Sequence, residues 1–255
     1  MSDPAVLTEV RDGVLLVTLN RPDQRNAVNR ALAEGIAAAL DGLDGEDELR
    51  VGVLCGAGRG FCAGMDLKAF VAGERPSVEG RGFAGIVQRA SAKPLIAAVE
   101  GFAVAGGFEV ALACDLIVAA RGARFGIPEV KRGLVAAGGA LLRLPQRIPY
   151  HLAMELALTG ELLEAERMHA VGLVNRLVEP GGAVDGALAL AQEIAANGPL
   201  AVAASKRILV EAPGWPADAM WERQAEISDP VRASQDAREG SLAFAEKRAP
   251  RWQGR

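Results

Sequence analysis

The chain has 255 residues, 50% of them hydrophobic, enough for one large domain, or a domain with an appendage, around a substantial core. Its net charge of −4 gives no support to nucleic-acid binding, so a substrate that carries phosphates would need a local basic patch. The N-terminus lacks a signal-peptide pattern and no run of about 18 apolar residues occurs, so we expect a cytoplasmic protein that does not associate with a membrane.

The cysteines and histidines do not form a metal or redox motif. Cys55, Cys62 and Cys114 contain no Cys-x-x-Cys pair, which favours core thiols in a reducing compartment. His151 and His169 lie in polar-flanked helical stretches and give little support to a zinc site or a histidine-based triad. We therefore expect no metal.

In chain order, the first part of the sequence predicts a β-hairpin, a helix and a buried strand. Asp12-Gly13 is a strong turn signal between two strands. The glycine-rich stretch GAGRGFCAGMDLKAF at 56–70 indicates a loop whose backbone closely approaches another group, and it does not match a phosphate-binding loop. The predicted elements are strands at 6–10, 14–19 and 51–55 and helices at 29–43 and 80–90.

The centre of the chain, residues 93–144, places two carboxylates among apolar segments. It predicts strands at 95–99 and 116–119 and a helix at 108–113. Glu109 follows Gly106-Gly107 at the start of that helix, and Glu129 follows Gly-Ile-Pro in a loop. Carboxylates are seldom buried without a partner or a function, so both are candidate functional residues.

This pattern favours acid–base chemistry next to a carbonyl group. Burial and mutual repulsion raise the pKa of at least one of two neighbouring carboxyls, so one can act as an acid while the other acts as a base. Free N–H groups at the glycine turn can stabilise a developing oxyanion. Taken alone, however, a glutamate in the first helical turn is more often only a dipole partner, and Gly-Gly is more often a plain turn.

After residue 144 the sequence predicts the end of an α/β core and then a mostly helical tail. The tail looks too thin to bury its own apolar faces, so we expect residues 196–255 to pack on the 1–195 core and on neighbouring subunits. Asp229-Pro230 is one of the predicted helix breaks. The predicted elements are helices at 150–158, 163–171, 183–196, 201–210, 216–228 and 231–247 and a strand at 173–178.

The segments KPLIAAVEGFAVAGGFEVALACDLIVAA and ARFGIPEVKRGLV resemble the signature of the enoyl-CoA hydratase (crotonase) superfamily. The resemblance extends from Asn20-Arg21-Pro22 to the C-terminal tail. It implies an α/β fold, a crotonase-type spiral of repeated ββα units with a helical C-terminal region that drives homotrimers, often stacked as hexamers. It also implies an acyl-CoA thioester substrate and no separate cofactor.

The resemblance also assigns roles to individual residues. Glu109 and Glu129 match the catalytic glutamate pair of the hydratases, and the backbone N–H groups of Met65 and Gly106 match the oxyanion hole. The positions that match coenzyme A contacts are Gln24, Arg25, Ala63, Asp66, Leu67, Lys68, Phe244 and Lys247. Read without the resemblance, the basic residues among them are surface charges, and Phe244 is as readily a core aromatic.

Because both glutamates are present, the resemblance favours a hydro-lyase that hydrates an enoyl-CoA in fatty-acid or related acyl-CoA metabolism. Two departures occur: Ala105 replaces a glycine before the first glutamate, and Ala136 stands where the family often has proline, in a loop that shapes the acyl pocket. The alternatives are an enoyl-CoA isomerase, a carnitinyl-CoA-type dehydratase and a non-catalytic acyl-CoA-binding subunit. A serine hydrolase is disfavoured because no Gly-x-Ser-x-Gly motif occurs.

Overall fold

The computed structural model describes residues 3–89 and 91–255. The chain opens with an antiparallel hairpin of β1 (Val6–Arg11) and β2 (Val14–Leu19). Asp12 and Gly13 in its two-residue turn have φ of 48° and 77°, the left-handed conformation that matches the twist of a tight hairpin. The predicted hairpin is confirmed.

The later strands are mostly short and fall between helices. They are β3 (Val51–Gly56), β4 (Ser77–Val78), β5 (Gly82–Phe83), β6 (Leu95–Val99), β7 (Phe102–Val104), β8 (Leu116–Ala120), β9 (Arg124–Gly126), β10 (Leu163–Glu164) and β11 (Arg176–Val178). The predicted strands at 51–55, 95–99 and 116–119 are confirmed. Of the strand predicted at 173–178, only the last three residues form a strand, which is β11.

The strands form one large sheet and a smaller one beside it. The large sheet has the order β1-β2-β3-β6-β8-β11 and is parallel from β2 onward. The smaller sheet has the order β10-β9-β7. In each of the consecutive pairs β6–β7 and β8–β9, the first strand belongs to the large sheet and the second to the smaller one. Successive strand pairs along the chain therefore extend both sheets together.

The helices cover both faces of the large sheet. They are α1 (Arg30–Gly45), α2 (Leu67–Val71), α3 (Gly106–Ala113), α4 (Ala140–Arg147), α5 (Tyr150–Thr159), α6 (Ala165–Ala170), α7 (Ala183–Ala195), α8 (Pro199–Glu211), α9 (Met220–Arg232) and α10 (Gln235–Glu246). Along β6, Leu95, Ala97 and Val99 belong to the core cluster that contains α1. Ile96 and Ala98 belong to the cluster beneath α7, so β6 is buried on both faces.

The three cysteines are all buried and unpaired, which confirms the prediction of core thiols. Cys55 lies under α7, and Cys62 and Cys114 lie in the core cluster on the other side of the sheet.

The helix predicted at 80–90 is wrong over the part of it that the structure describes; Ala90 lies outside the described residues. A small hairpin of β4 and β5 and a series of turns occupy this segment. Gly82, Ala84 and Gly85 have φ of 71°, 55° and 69°, and a right-handed helix cannot include residues in that conformation.

Several helix boundaries also differ from the sequence prediction; the helices predicted to begin at 216 and 231, for example, begin at Met220 and Gln235. The break predicted at Asp229-Pro230 is wrong, because α9 continues through Pro230 and ends at Arg232. Proline has no N–H to donate to the Glu226 carbonyl, so α9 continues through Pro230 with that one helical hydrogen bond missing. The helix predicted at 163–171 begins two residues later, since Leu163 and Glu164 pair with β9 as strand β10.

The C-terminal helices are attached to the sheet layer by specific contacts. Lys206 on α8 donates to the Asp115 carboxylate at 2.6 Å, and Trp252 Nε1 donates to the Ala196 carbonyl at 2.8 Å. Within the part of the chain that the structure describes, no single helix has the length and apolar composition of a membrane span. Only α7 combined with the segment Pro199–Gly214 satisfies both, across a bend of 108°.

Candidate active site

A cavity of about 750 Å³ opens at the N-terminal end of α3. Five segments form its wall: the turn between β2 and α1, the glycine-rich loop after β3, the β4–β5 hairpin with the turns after it, the β7–α3 turn and the segment that follows β9. The residues that the sequence singled out and that line it are Arg25, Ala63, Met65, Leu67, Gly106, Glu109 and Glu129. The fold therefore brings residues from distant parts of the chain to one space of substrate size.

Glu109 lies in the first turn of α3 and is only 4% exposed. Its Oε1 accepts a hydrogen bond from the backbone N–H of Ala140 at 3.2 Å. Burial raises the pKa of Glu109, and the charge of Glu129 raises it further, against the hydrogen bonds from Ala140 and Gly138. Glu109 is therefore a carboxyl that takes up a proton more readily than an exposed glutamate does.

Glu129 reaches the same cavity from the opposite wall. It lies in the short 3-10 helix Pro128–Arg132 and is half-buried. Its Oε2 is buried and has no hydrogen-bond partner among the described residues. Burial raises the pKa of this carboxyl too, although its own backbone N–H and the Arg132 guanidinium oppose the shift. A buried carboxylate oxygen without a protein partner is available to a substrate or a water.

Met65 and Gly106 contribute backbone to the cavity wall. Within residues 3–89 and 91–255, neither of their N–H groups has a protein acceptor. The two loops touch, because a Cβ placed on Gly64 would lie 2.9 Å from the Gly106 nitrogen. Two free donors on adjacent backbones are an arrangement that can bind one oxygen atom. Their assignment as an oxyanion hole stays a prediction.

The backbone conformation at Ala105 is a feature that the sequence did not indicate. Ala105 immediately precedes α3 and has φ of 53° and ψ of −133°. Residues other than glycine rarely adopt this backbone conformation. The position therefore stores strain directly beside the Gly106 N–H.

The β4–β5 hairpin is the part of the cavity that the sequence did not reveal. It places Ser77, Val78 and Phe83 in the wall. The Phe83 ring packs so closely on Gly106 that a Cβ there would lie 2.7 Å from it. Gly80 and Gly82 are the sequence signal that favours a turn here, although they lie inside the segment that the sequence predicts as a helix.

The residues predicted to contact coenzyme A separate into two groups. Arg25, Ala63 and Leu67 line the cavity, whereas Gln24 and Lys68 do not. Asp66 has a structural role: its Oδ1 accepts from the N–H groups of Lys68 and Ala69, which caps α2, and its Oδ2 pairs with Arg21 at 3.0 Å. Asp66 therefore fixes the loop that carries Met65.

Phe244 and Lys247 lie apart from the cavity in this single chain. Phe244 is 87% exposed on α10, beside a second cleft that also contains Trp252, and Lys247 ends the same helix with φ of 52°. Phe244 is therefore not a core aromatic. Among the described residues, no group of three or more His, Cys, Asp or Glu side chains could hold a metal ion.

The fold and the cavity together are typical of an acid–base enzyme: two buried or half-buried carboxyls and two residues whose backbone N–H groups have no acceptor among the described residues line one cavity. The model of the enoyl-CoA hydratase/isomerase family matches residues 9–255, and the chain belongs to this family. The predicted family and the predicted α/β fold class are thereby confirmed.

Individual relatives agree with this assignment over their full lengths. The chain is 43% identical to "Enoyl-CoA hydratase EchA19" of Mycobacterium tuberculosis, with 100% of this chain and 98% of the relative covered. A solved structure of enoyl-CoA hydratase EchA1 from Mycobacterium marinum is 62% identical, with a TM-score of 0.98, and covers 99% of this chain and 100% of its own. The carnitinyl-CoA dehydratase of Proteus mirabilis is 40% identical, with 100% of each chain covered.

Proposed function

We propose that this protein is an enoyl-CoA hydratase, which reversibly adds water across the 2,3 double bond of an enoyl-CoA thioester. The observation that carries the proposal is that Glu109 and Glu129 line one cavity together with Met65 and Gly106. Relatives named enoyl-CoA hydratase, at 43% identity or more over the full chain, support the same reaction.

In the proposed mechanism, the thioester carbonyl oxygen binds between the N–H groups of Met65 and Gly106. These donors polarise the carbonyl, which makes the β-carbon electrophilic, and they stabilise the enolate-like charge that develops on the oxygen. Because both donors belong to the backbone, the Met65 side chain does not take part in this hydrogen bonding.

The two glutamates then divide the proton transfers. Glu109, held by the Ala140 N–H, orients a water and accepts a proton from it as the water attacks the β-carbon. Glu129 donates a proton to the α-carbon, a role that its raised pKa favours because the carboxyl keeps its proton to higher pH. In the reverse direction, Glu129 abstracts the α-proton and the roles exchange. Activation comes from the thioester and the backbone donors, so the proposal includes no separate cofactor.

The coenzyme A portion of the substrate extends past Arg25 and the loop from Ala63 to Lys68. Arg25 and Arg132 line the cavity and supply the local positive charge that a phosphate-bearing ligand needs on an acidic chain. Phe244, exposed on α10, and Lys247, which follows that helix, do not line this cavity within one chain, so we place them against the nucleotide end of the ligand at a subunit boundary.

We accordingly propose a homotrimer or a hexamer of two trimers, in the cytoplasm. Exposed apolar side chains support association, because Leu158, Trp221 and Phe244 are 69%, 74% and 87% exposed. Three buried, unpaired cysteines support a reducing compartment. Sedimentation velocity measures the assembly, and a monomer at micromolar concentration would contradict this part of the proposal.

The test of the reaction is the loss of conjugated-thioester absorbance with crotonyl-CoA, for the wild type and for Glu109→Gln and Glu129→Gln. Each variant is expected to lose on the order of 10²- to 10⁴-fold in rate while still binding acyl-CoA, because each removes one positioned acid–base group. Turnover of either variant near the wild-type rate would contradict the roles assigned to the glutamates. No turnover by the wild type would contradict the reaction for this acyl chain.

A carnitinyl-CoA-type dehydratase is the second candidate, because the relative from Proteus mirabilis carries that name at 40% identity. An enoyl-CoA isomerase uses the same fold, and a non-catalytic acyl-CoA-binding subunit would need neither glutamate. Mass spectrometry and chromatography of the products from crotonyl-CoA, a 3-enoyl-CoA and carnitinyl-CoA separate these functions. Water addition with crotonyl-CoA as the preferred substrate supports the hydratase.

A further inference from the structure

Cys62 connects the two backbone segments that carry the free N–H groups. Its backbone N–H donates to the Phe102 carbonyl at 3.3 Å, and its carbonyl accepts from the Val104 N–H at 3.1 Å. These bonds tie the glycine-rich loop to β7, whose chain continues through Ala105 to Gly106. Gly107 packs directly on the Cys62 carbonyl, where a Cβ would collide. One residue thus fixes the distance between the two segments.

The Cys62 thiol adds two contacts of its own. Its S–H donates to the Asn26 carbonyl at 3.1 Å, and the sulfur accepts from the Gly64 N–H at 3.4 Å. Asn26 is fully buried in a left-handed turn with φ of 54°. The Asn26 side chain donates to the carbonyls of Ala57 and Gly60, each at 2.9 Å. The acceptor of the thiol is therefore held in place from several sides.

The direction of the Met65 N–H depends on how Gly64 is held at both of its ends. The Gly64 carbonyl accepts from the Val28 N–H at 2.7 Å. Because a trans peptide unit is planar, fixing that carbonyl directs the N–H of Met65 to the opposite side. The sulfur contact fixes the other end of Gly64, which has φ of 94° and therefore depends on its neighbours to keep this conformation.

We propose that the Cys62 side chain is a positioning group for the oxyanion hole: it holds Gly64 between the Asn26 turn and β7, and so aims the Met65 N–H at the substrate carbonyl. This inference rests on the proposed function. The thiol acts through the backbone and not as a nucleophile, because Cys62 has no exposed surface and burial raises the pKa of its thiol to about 12.

Two variants of nearly equal size isolate the hydrogen bonds of the thiol. Cys62→Ser keeps a donor for the Asn26 carbonyl and an acceptor for the Gly64 N–H, whereas Cys62→Ala keeps neither. Cys55→Ala is the matched control, because Cys55 is also buried but lies in β3 with its sulfur 3.3 Å from Thr18 Oγ1. All three are measured for thermal stability, kcat and KM with crotonyl-CoA.

A spectroscopic measurement reports the hole independently of turnover. Butyryl-CoA has no double bond to hydrate, and hydrogen bonds to its carbonyl lower the carbonyl stretching frequency. The infrared band of bound [1-¹³C]butyryl-CoA therefore measures how well the N–H groups are aimed. This measurement keeps the inference distinguishable from the proposed reaction. A wild type that lowers the band but does not hydrate crotonyl-CoA contradicts the reaction for this acyl chain and not the oxyanion hole.

Cys62→Ala is expected to lower kcat by on the order of 10-fold, with KM within about 2-fold, because a misplaced donor weakens transition-state binding more than ground-state binding. Its carbonyl band should shift less than that of the wild type. Cys62→Ser should recover most of both properties, and Cys55→Ala should change neither. The proposal is overturned if Cys62→Ala matches Cys62→Ser in kcat and in the carbonyl band. It is also overturned if Cys62→Ala lowers kcat but leaves the carbonyl band where it is in the wild type. The same holds if Cys55→Ala shifts the carbonyl band as much as Cys62→Ala does.

Discussion

Gly138→Ala should lower the activity of the enzyme by about 10- to 100-fold, because it displaces one carboxyl group. Gly138 lies in the turn before α4 and contacts Glu109, and its φ is outside the left-handed range, so alanine can adopt the backbone there. A Cβ at this position would lie 2.8 Å from Glu109 Cδ and 3.2 Å from its Oε1. The substitution therefore strains a side-chain contact and leaves the backbone conformation intact.

The size of the effect follows from these distances. Glu109 Oε2 lies nearest to this Cβ, closer than Cδ, so the carboxyl must retreat by more than the ~0.6 Å that takes Cδ from 2.8 Å to the 3.4 Å at which ordinary contact begins. The Ala140 N–H donates to Glu109 at 3.2 Å and cannot follow, because it belongs to the same turn. Since a misplacement of about 1 Å can cost on the order of 10²-fold, we expect kcat to fall by about 10- to 100-fold. KM should change little, because Glu109 contacts the water and not the coenzyme A.

The assay is crotonyl-CoA hydration, with thermal unfolding of the same samples. Gly42→Ala is the control: Gly42 lies in α1, where a Cβ meets nothing within 4 Å, and alanine there should stabilise the fold by about 0.5–1 kcal/mol without changing kcat. A Gly138→Ala enzyme with kcat within about threefold of the wild type would refute the reasoning, since a displaced general base could not keep that rate.

Two further predictions concern stability. Ala105→Gly should raise the free energy of unfolding by about 1 kcal/mol. The reason is that relief of about 1–3 kcal/mol of backbone strain exceeds the cost of the conformational entropy that glycine adds to the unfolded chain. Urea unfolding measures this difference, and a destabilised variant would contradict the prediction. Glu129→Gln should be more stable than the wild type at pH 7 and nearly equal to it at pH 4. The folded state raises the pKa of Glu129 above its ordinary 4.5, so wild-type stability falls as pH rises from that value through the folded pKa, whereas glutamine does not titrate. A difference in melting temperature that is constant between pH 4 and pH 8 would argue against this linkage.

Both stability predictions describe costs located at the site. The unpartnered Oε2 of Glu129 and the strained backbone of Ala105 each destabilise the folded protein, and each lies beside a group that the proposed mechanism uses. Stability and activity are therefore expected to change in opposite directions for Glu129→Gln.

The sequence by itself determined the elements with local signals. The Asp12-Gly13 turn, the apolar spacing of α1 and the apolar run at Leu95–Val99 each fix structure within a few residues, so their prediction was correct. Glu109 and Glu129 were found because a carboxylate in an apolar segment is unusual wherever the chain goes. The resemblance supplied the family and the reaction class.

The tertiary structure decided what depends on contacts between distant segments. Gly82 and Ala84 have no helical φ because the β4–β5 hairpin lines the cavity and the chain turns directly after it, and no local pattern encodes that. The close approach of Gly138 to Glu109 and the contact of Gly64 with Gly106 join residues more than 25 positions apart, so only the packed fold could place them. Cys62 looked like any core thiol in the sequence. Its position between the Asn26 turn and β7 gives it a further role, because a backbone donor is aimed by whatever fixes its peptide plane.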